Sequence, residues 1–507
     1  MGQPFPGKLS YTYHPWMREM LDSKAESCVG QKSAQMGYST VAIVLALKSV
    51  ADGRNVLYLL PTRTPDATDF STTRFDKIIE HSDYLTRLFH KNKSVGIKRA
   101  DEGVVYIRGM NSTSALKSVD VSLLIFDEID EMPADRIPLA LQRMAGQLIK
   151  RMWAVSTPTV PDYGINKLLQ ESTESHFQFP CPSCSRSIEL LWPDNFELCG
   201  KDHRDPDCDL SYLKCNLCNT KLPHENKAEM LRLAKFVPTR VSAIDGYYVN
   251  QLYSSTVKPG ELARAWFKAQ IDLAAEQEFY NSMLGLARLL RGARVSEDDL
   301  RKCISGYVMQ PNSPSGRIVT IGIDVGKLLH FWVDVWSYSK LSADINLSAR
   351  CKTICIGTLD SFDEIKRLIA DFSPTTVLID SEPETRKALD VAALYPGLVR
   401  LCKFTRSEVS NSIEGEILIK TNRTAWLDTA MSRFLTQRIT LPVNMPPDAY
   451  AHIGALVRRY KRSADGDLLG HYISTGSDHY AFARVYSEIA FPLAVAMFCG
   501  KTVGELL

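Results

Sequence analysis

Residues 28–40 read CVGQKSAQMGYST and lead directly into the apolar run Val41–Val50. A glycine-containing loop that opens a helix points successive backbone N–H groups at an anion. The usual pattern for nucleotide phosphates is G-x-x-x-x-G-K-[ST]. With Gly37 as its second glycine, Ser39 falls on the Ser/Thr position, where it can ligate Mg2+, and Tyr38 occupies the lysine position. The lysine stands instead at Lys32, where the first glycine is expected. A flexible four-carbon side chain can reach phosphates from the start of such a loop as well as from its end. Ser33, Gln35 and Thr40 complete the set of candidate nucleotide contacts. Alone, the stretch also reads as a glycine-containing turn before a helix.

Val121–Glu128, VSLLIFDE, is an apolar strand ending in two acids, the layout of a Walker B strand. Asp127 is placed to hold Mg2+ and Glu128 to orient or deprotonate a water. Further short apolar runs occur at Asn55–Leu60, Val104–Ile107 and Trp153–Val155. Alternating with helical patterns, they predict an α/β domain with a parallel sheet. Ser156-Thr157-Pro158 follows the last of these strands and is a candidate γ-phosphate sensor, and Arg136 and Arg143 are candidate transition-state arginines.

From about residue 177 to 224 the composition shifts to Cys, Pro, Asp and Asn. Cys181-Pro-Ser-Cys184 and Cys215-Asn-Leu-Cys218 are separated by thirty residues. Four thiolates in two C-x2-C pairs suit tetrahedral, structural zinc in a small inserted ribbon. Cys199, His203 and Cys208 lie between the pairs as competing ligands.

PNSPSG at 311–316 reads as a linker, and a new α/β pattern begins at Arg317. Asp324 lies on the strand IVTIGID, Asp380 ends the run Val377–Asp380, and Asp478 opens the amphipathic stretch DHYAFARVYSEIA. Carboxylates on two strands and a helix are what a ribonuclease-H-like nuclease needs to hold two divalent ions, Mg2+ or Mn2+, around a phosphodiester. Glu382 and Glu384 are alternates for the middle ligand, His479 and Asp334 are possible assistants, and the basic segment VRRYKR at 457–462 is a candidate DNA-backbone contact.

The chain has 507 residues, which favours two or three domains. Its 60 basic and 58 acidic residues leave a formal charge of +2, so any nucleic-acid surface must be local. No signal-type run opens the sequence, and Pro6 stands where a myristoylation motif needs Ser or Thr. The longest apolar stretches, Val41–Leu47 and Ile489–Cys499, are too short to span a bilayer. A cytoplasmic protein is expected, its twelve cysteines thiols or metal ligands rather than disulfides.

KSAQMGYS at 32–39, LLIFDE at 123–128, STP at 156–158, CPSC at 181–184, YNSMLG at 280–285 and IGIDVG at 321–326 together resemble the large terminase subunit of tailed bacteriophages. The likeness is to its lambda-type (GpA) branch and spans about residues 10–490. That family's phosphate loop has an early lysine, which identifies Lys32 as the phosphate-binding lysine; Gln35 stands where lambda-type loops can carry an arginine. The resemblance implies an N-terminal P-loop (RecA/ASCE-like) ATPase domain at 1–310, with an inserted zinc ribbon at 177–224 and a helical linker region at 225–310. A C-terminal RNase H-like nuclease domain at 311–507 follows. It further implies ATP-driven movement of double-stranded DNA into a procapsid and metal-dependent cutting of concatemers. The implied partners are the small terminase subunit, the portal protein and further copies in a ring, in the host cytoplasm and with no membrane. Few residues precede the loop, so a short or missing N-terminal extension for the small subunit is expected.

Two other readings fit parts of the pattern. A helicase-nuclease of DNA repair would need the arginine-bearing motifs of a second RecA-like domain, where the second half shows acids. A non-enzymatic, zinc-stabilised DNA-binding scaffold with a decayed nucleotide site would lack DNA-stimulated ATPase activity.

Overall fold

The computed structural model describes residues 9–89, 94–111, 116–117, 119–338, 349–405, 412–414, 417–462 and 468–499. The chain forms two compact units, Met1–Leu289 and Leu290–Leu507, each with its own sheet.

In the first unit the apolar runs become β1 (Ser27–Lys32), β2 (Val56–Leu60), β3 (Ile97–Arg99), β4 (Val104–Gly109), β5 (Leu123–Asp127) and β6 (Arg151–Ser156). β7 (Ser175–Pro180) leads into an insertion holding β8 (Ser187–Ile188), β9 (Phe196–Glu197), β10 (Tyr212–Lys214) and β11 (Lys221–Leu222). The chain returns through β12 (Lys235–Val237), antiparallel to β7, and continues into β13 (Ile244–Val249). The main sheet runs β12-β7-β13-β1-β6-β5-β2-β4-β3. β13, β1, β6, β5, β2 and β4 pair in parallel, as strands buried on both faces do. Tyr58, Leu60 and Ile125 enter one core and Leu57, Leu59, Leu124 and Phe126 the other, following the two-residue period of a strand.

The expected helical linker at 225–310 is corrected by this sheet. β13 lies within it and forms a full parallel ladder with β1, placing Val249 beside Lys32. The run IDGYYV carries Asp245 and Gly246, which weakens its strand signal, while packing of Tyr247 and Tyr248 fixes it in the sheet. At the other end of the region, Val295, Leu300 and Cys303 join the core of the second unit.

The second unit has an eight-stranded sheet. β14 (Ile318–Val325), β15 (Leu329–Ser337) and β16 (Arg350–Leu359) form an antiparallel meander. β17 (Thr376–Asp380), β18 (Val399–Thr405) and β20 (Leu418–Asn422) continue it in parallel from β14, with β19 (Ser412–Glu414) at one edge and β21 (Ile439–Thr440) at the other. A separate hairpin joins β22 (Leu456–Arg462) to β23 (Leu468–Ser474). Ile318, Trp332, Trp336 and Leu378 enter one core with the helices Arg423–Leu435, Pro447–Gly454 and His479–Cys499. Val319, Ile321, Ile323, Val377 and Ile379 enter the other, beside the helices Ile365–Phe372 and Thr385–Leu394.

The helix His479–Cys499 lies directly on β14, and Gly322 permits it. A Cβ at Gly322 would collide with the backbone of Ala483 and Ser487. The middle of the same helix is anchored by buried charges. Glu488 accepts from Arg433 at 2.5 Å and from Arg484 at 2.6 Å, and Arg484 also lies 3.5 Å from Asp334. Two arginines and two acids cancel, which is what makes such a cluster tolerable in a core. Asp334 is therefore held in this buried cluster, where the sequence had offered it as an assistant to the candidate metal ligands. It also accepts from Thr353, Trp332 and Ser487.

Candidate functional sites

In the first unit β1 ends at Lys32, the chain turns through residues 33–37, and the helix Tyr38–Ala51 begins. Gln35 at φ 65° and Gly37 at φ 80° take left-handed backbone, which bends the loop around its own N–H groups. The Ser33 N–H is taken by the Val249 carbonyl at 3.2 Å and the Ala34 N–H by Ser282 at 2.6 Å. The N–H groups of Gly37, Tyr38 and Ser39 have no acceptor among the described residues, and the buried Ser33 hydroxyl has none either. Unclaimed donors at a helix N-terminus are a ready anion site. Thr40, in the first turn, turns its N–H back to the Gly37 carbonyl at 3.0 Å.

β6 lies between β1 and β5 and brings the acid pair opposite the loop. Lys32 Nζ is 2.6 Å from Glu128 Oε1 and 3.4 Å from Thr157 Oγ1. Ser39 Oγ donates to Asp127 Oδ1 at 3.2 Å, and the Tyr58 hydroxyl donates to Oδ2 at 2.5 Å. Burial, then the neighbouring Glu128, push the Asp127 carboxyl up to about 6, against the opposing pull of Lys32, Tyr58 and Ser39. Glu128 sits in left-handed backbone at φ 65°, and its second oxygen accepts from Ser156 Oγ at 3.2 Å and the Thr157 N–H at 3.1 Å. The hydroxyl pair Ser156 and Thr157 thus touches the acid and lysine together.

Tyr38 contributes less than the motif alignment suggests. Its side chain is fully buried beneath β1, where a Cβ at Gly30 would come within 2.6 Å of the ring. Only its backbone N–H faces the loop. The usual lysine position thus holds a core aromatic, while Lys32 stands at the end of β1. Arg136 donates to the Met110 carbonyl at 2.7 Å, and among the described residues neither it nor Arg143 contacts the Lys32–Glu128 pair.

Asp130 and the YNSMLG segment support the loop. Asp130 accepts from the Thr159 N–H and hydroxyl at 2.9 and 2.8 Å and from the Ile165 N–H at 2.7 Å, holding the turn after Thr157. The YNSMLG segment underlies the phosphate loop. Gln31 donates to the Gly285 carbonyl at 2.8 Å, and a Cβ at Gly285 would come within 2.7 Å of the Ser33 nitrogen.

In the insertion the four predicted thiols converge. Cys181 Sγ lies 3.8 Å from Cys218 Sγ, and Cys184 Sγ lies 4.0 Å from Cys215 Sγ. Bonds of about 2.3 Å in a tetrahedron separate sulfurs by about 3.8 Å, so the group has the dimensions of a zinc centre. The two loops repeat one geometry. Cys181 and Cys215 each accept a backbone bond from the residue four positions on, Ser185 or Asn219, at 2.9 Å, and both of these have φ 58°. Cys199, His203 and Cys208 lie outside the four-sulfur group.

In the second unit Asp324 and Asp380 end adjacent parallel strands, since Ile323 pairs with Ile379. Asp380 Oδ1 accepts from the Glu382 N–H at 3.1 Å; burial pushes the carboxyl up to about 6, partly offset by that bond and the Tyr486 hydroxyl. Asp478 directly precedes the helix His479–Cys499 and raises the Asp324 carboxyl by its charge. The three carboxylates do not form a group closed to 4.8 Å; the residues that do are Asp324, His330 and His479. Asp324 Oδ2 is 2.9 Å from His479 Nδ1. Burial pushes Asp324 up while that bond pulls it back, and the same bond raises His479. Glu382 and Glu384 instead face Lys403 and Lys387 at 2.6 and 3.3 Å. In the basic hairpin, Arg458 pairs with Asp428 at 2.6 Å; the side chains of Lys461 and Arg462 lie outside the described residues.

The family model for the phage terminase large subunit gpA, ATPase domain, matches residues 3–236, and that for the gpA endonuclease domain matches residues 244–345. The chain is thus an ATPase followed by an endonuclease. It belongs to the gpA family of phage terminase large subunits, the enzymes of DNA packaging and cutting. The fold is similar to that of the HK97 bacteriophage large terminase, at 12% identity and a TM-score of 0.50, covering 96% of this chain and 95% of that one. A large terminase from a thermophilic bacteriophage matches at 10% identity and a TM-score of 0.33, covering 96% and 100%. The large terminase nuclease of thermophilic phage G20c matches at 14% identity and a TM-score of 0.25, covering 38% and 97%. No curated protein matches the chain. Among the described residues no helix is long and apolar enough to cross a membrane.

Proposed function

We propose that this chain couples ATP hydrolysis in its first unit to translocation of double-stranded DNA into a procapsid, and cuts concatemeric DNA in its second. The observation that carries the reading is the convergence of Lys32, Ser39, Asp127 and Glu128 beside free N–H groups at the helix start. Lys32 and the backbone of Gly37, Tyr38 and Ser39 cradle the nucleotide phosphates, with Ser33, Gln35 and Thr40 lining the loop. Ser39 and Asp127 would hold Mg2+, which supplies charge neutralisation at the β- and γ-phosphates. Glu128 orients and deprotonates the attacking water. Ser156 and Thr157, in contact with Glu128, respond to the γ-phosphate.

In the second unit Asp324, Asp380 and Asp478 would hold Mg2+ or Mn2+, which stabilises the attacking and leaving oxygens of a phosphodiester. Cys181, Cys184, Cys215 and Cys218 would hold a structural zinc; a closed four-thiolate set leaves no open position for chemistry. Family membership supports the small terminase subunit, the portal and further copies of the chain as partners, in the host cytoplasm. ATP turnover stimulated by double-stranded DNA, together with Mg2+- or Mn2+-dependent cutting of plasmid by the same preparation, is the expected result. Absence of DNA-stimulated turnover would refute the motor reading.

A further inference from the structure

The nuclease site holds more imidazole than a carboxylate site requires. β14 and β15 form a tight antiparallel hairpin whose register sets His330 directly across from Asp324. The start of the helix His479–Cys499 brings His479 to the same point, its ring stacked on His330 with centroids 4.7 Å apart at 17°. His452, on the helix Pro447–Gly454, closes the far side; its ring centroid is 5.7 Å from that of His330, and its Nδ1 takes the Tyr480 N–H at 3.4 Å. His452 is thus committed to the backbone, whereas Nδ1 of the buried His330 has no hydrogen-bond partner among the described residues.

The geometry points to a mixed site in which His330 and His479 join Asp324 as first ligands of one divalent ion, with the imidazole nitrogens selecting Mn2+ over Mg2+. Asp324, His330 and His479 each offer an atom within 4.8 Å of the other two. Bonds of about 2.1 Å to one ion separate its ligands by roughly 3 to 4.2 Å, so binding needs the three atoms to close by tenths of an ångström and the near-parallel imidazole rings to turn until each ring plane contains the ion. Imidazole suits manganese, cobalt, nickel and zinc, whereas Mg2+ keeps oxygen ligands and water. Asp380, whose oxygen already takes the Glu382 N–H, is left to a second, oxygen-ligated position. The assignment rests on the nuclease reading of the second unit but goes beyond its three acids.

The test uses the full chain without nucleotide, loaded with Mn2+ and read by electron spin-echo envelope modulation. The wild type is expected to show 14N coupling from two imidazoles. His479→Gln and His330→Gln should each remove one, and His330→Gln should weaken Mn2+ binding at least about tenfold while changing Mg2+ binding far less. The wild-type spectrum decides the matter even if His330→Gln fails to fold. Bound Mn2+ that Asp324→Asn abolishes, but that shows no 14N coupling, would overturn the mixed site and leave the nuclease reading intact. Absence of any Asp324-dependent Mn2+ binding would overturn both.

Discussion

Lys32 Nζ lies 2.6 Å from Glu128 Oε1, so the cation of the phosphate loop and the acid of the Walker B strand form one ion pair. The lysine is nearly buried and the glutamate is partly exposed, with relative side-chain areas of 7% and 37%. Each partner therefore sets the other's position. Lys32→Ala and Glu128→Gln are both expected to reduce steady-state ATP turnover by roughly 100-fold or more, the usual effect of removing one preorganised electrostatic group. Turnover within a few-fold of wild type in either variant would remove that residue from the mechanism.

Tyr38 occupies the position of a lysine in the motif and behaves as core. Its hydroxyl is buried with no partner among the described residues. Tyr38→Phe should leave ATP turnover unchanged and raise stability by up to about 1 kcal/mol in a denaturant melt, since an unpaired buried hydroxyl is a cost. Gly30→Ala should destabilise, because its methyl would press on that ring at 2.6 Å. Loss of activity in Tyr38→Phe with the fold intact would show that the hydroxyl has a catalytic role.

The four thiols at 3.8–4.0 Å predict one tightly held zinc per chain. Metal analysis of the purified protein should give one equivalent, and removing it with a chelator should lower the melting temperature. Cys184→Ser should do the same, since a structural site contributes folding energy directly. Absence of stoichiometric zinc would refute the assignment.

Lys227 gives a pH dependence that can be separated from both catalytic centres. Its ammonium is buried, donates to the Ser254 carbonyl at 2.6 Å, and is pulled by that burial from 10.5 to about 7. The unfolded chain holds this proton more tightly than the folded one. The penalty is therefore complete below pH 7 and fades as pH rises toward 10.5. Lys227→Met should be more stable than wild type by on the order of 2 kcal/mol at pH 7, after allowing for the lost hydrogen bond, and the gain should shrink by pH 10. A gain that is constant over that range would contradict the assignment.

Much of this was legible because it is local in sequence. An apolar run ending in acid marks a strand carrying a carboxylate near its C-terminal end, and that rule placed Asp127, Asp324 and Asp380 at or next to the ends of β5, β14 and β17. The paired C-x2-C spacing found the four thiols. Features set by pairing across the sheet were less accessible. His330 is a ligand candidate only because the turn after Val325 folds β15 back onto Asp324; counting outward from that turn was the available signal. Asp334, four residues further along the same strand, has the same chemistry in the sequence but is buried against Arg484. Its role is decided by a helix more than a hundred residues away. β13 was hidden by Asp245 and Gly246, and Asp130 by its position just beyond a stronger motif.

Two independent phosphate-handling centres on one chain should fail independently. The most direct measurement assays ATP turnover and plasmid cutting side by side in Lys32→Ala and Asp324→Asn. Lys32→Ala is expected to lose ATP hydrolysis and keep Mn2+-dependent cutting, and Asp324→Asn to do the reverse. Normal cutting by Asp324→Asn, or loss of both activities in each correctly folded variant, would contradict this.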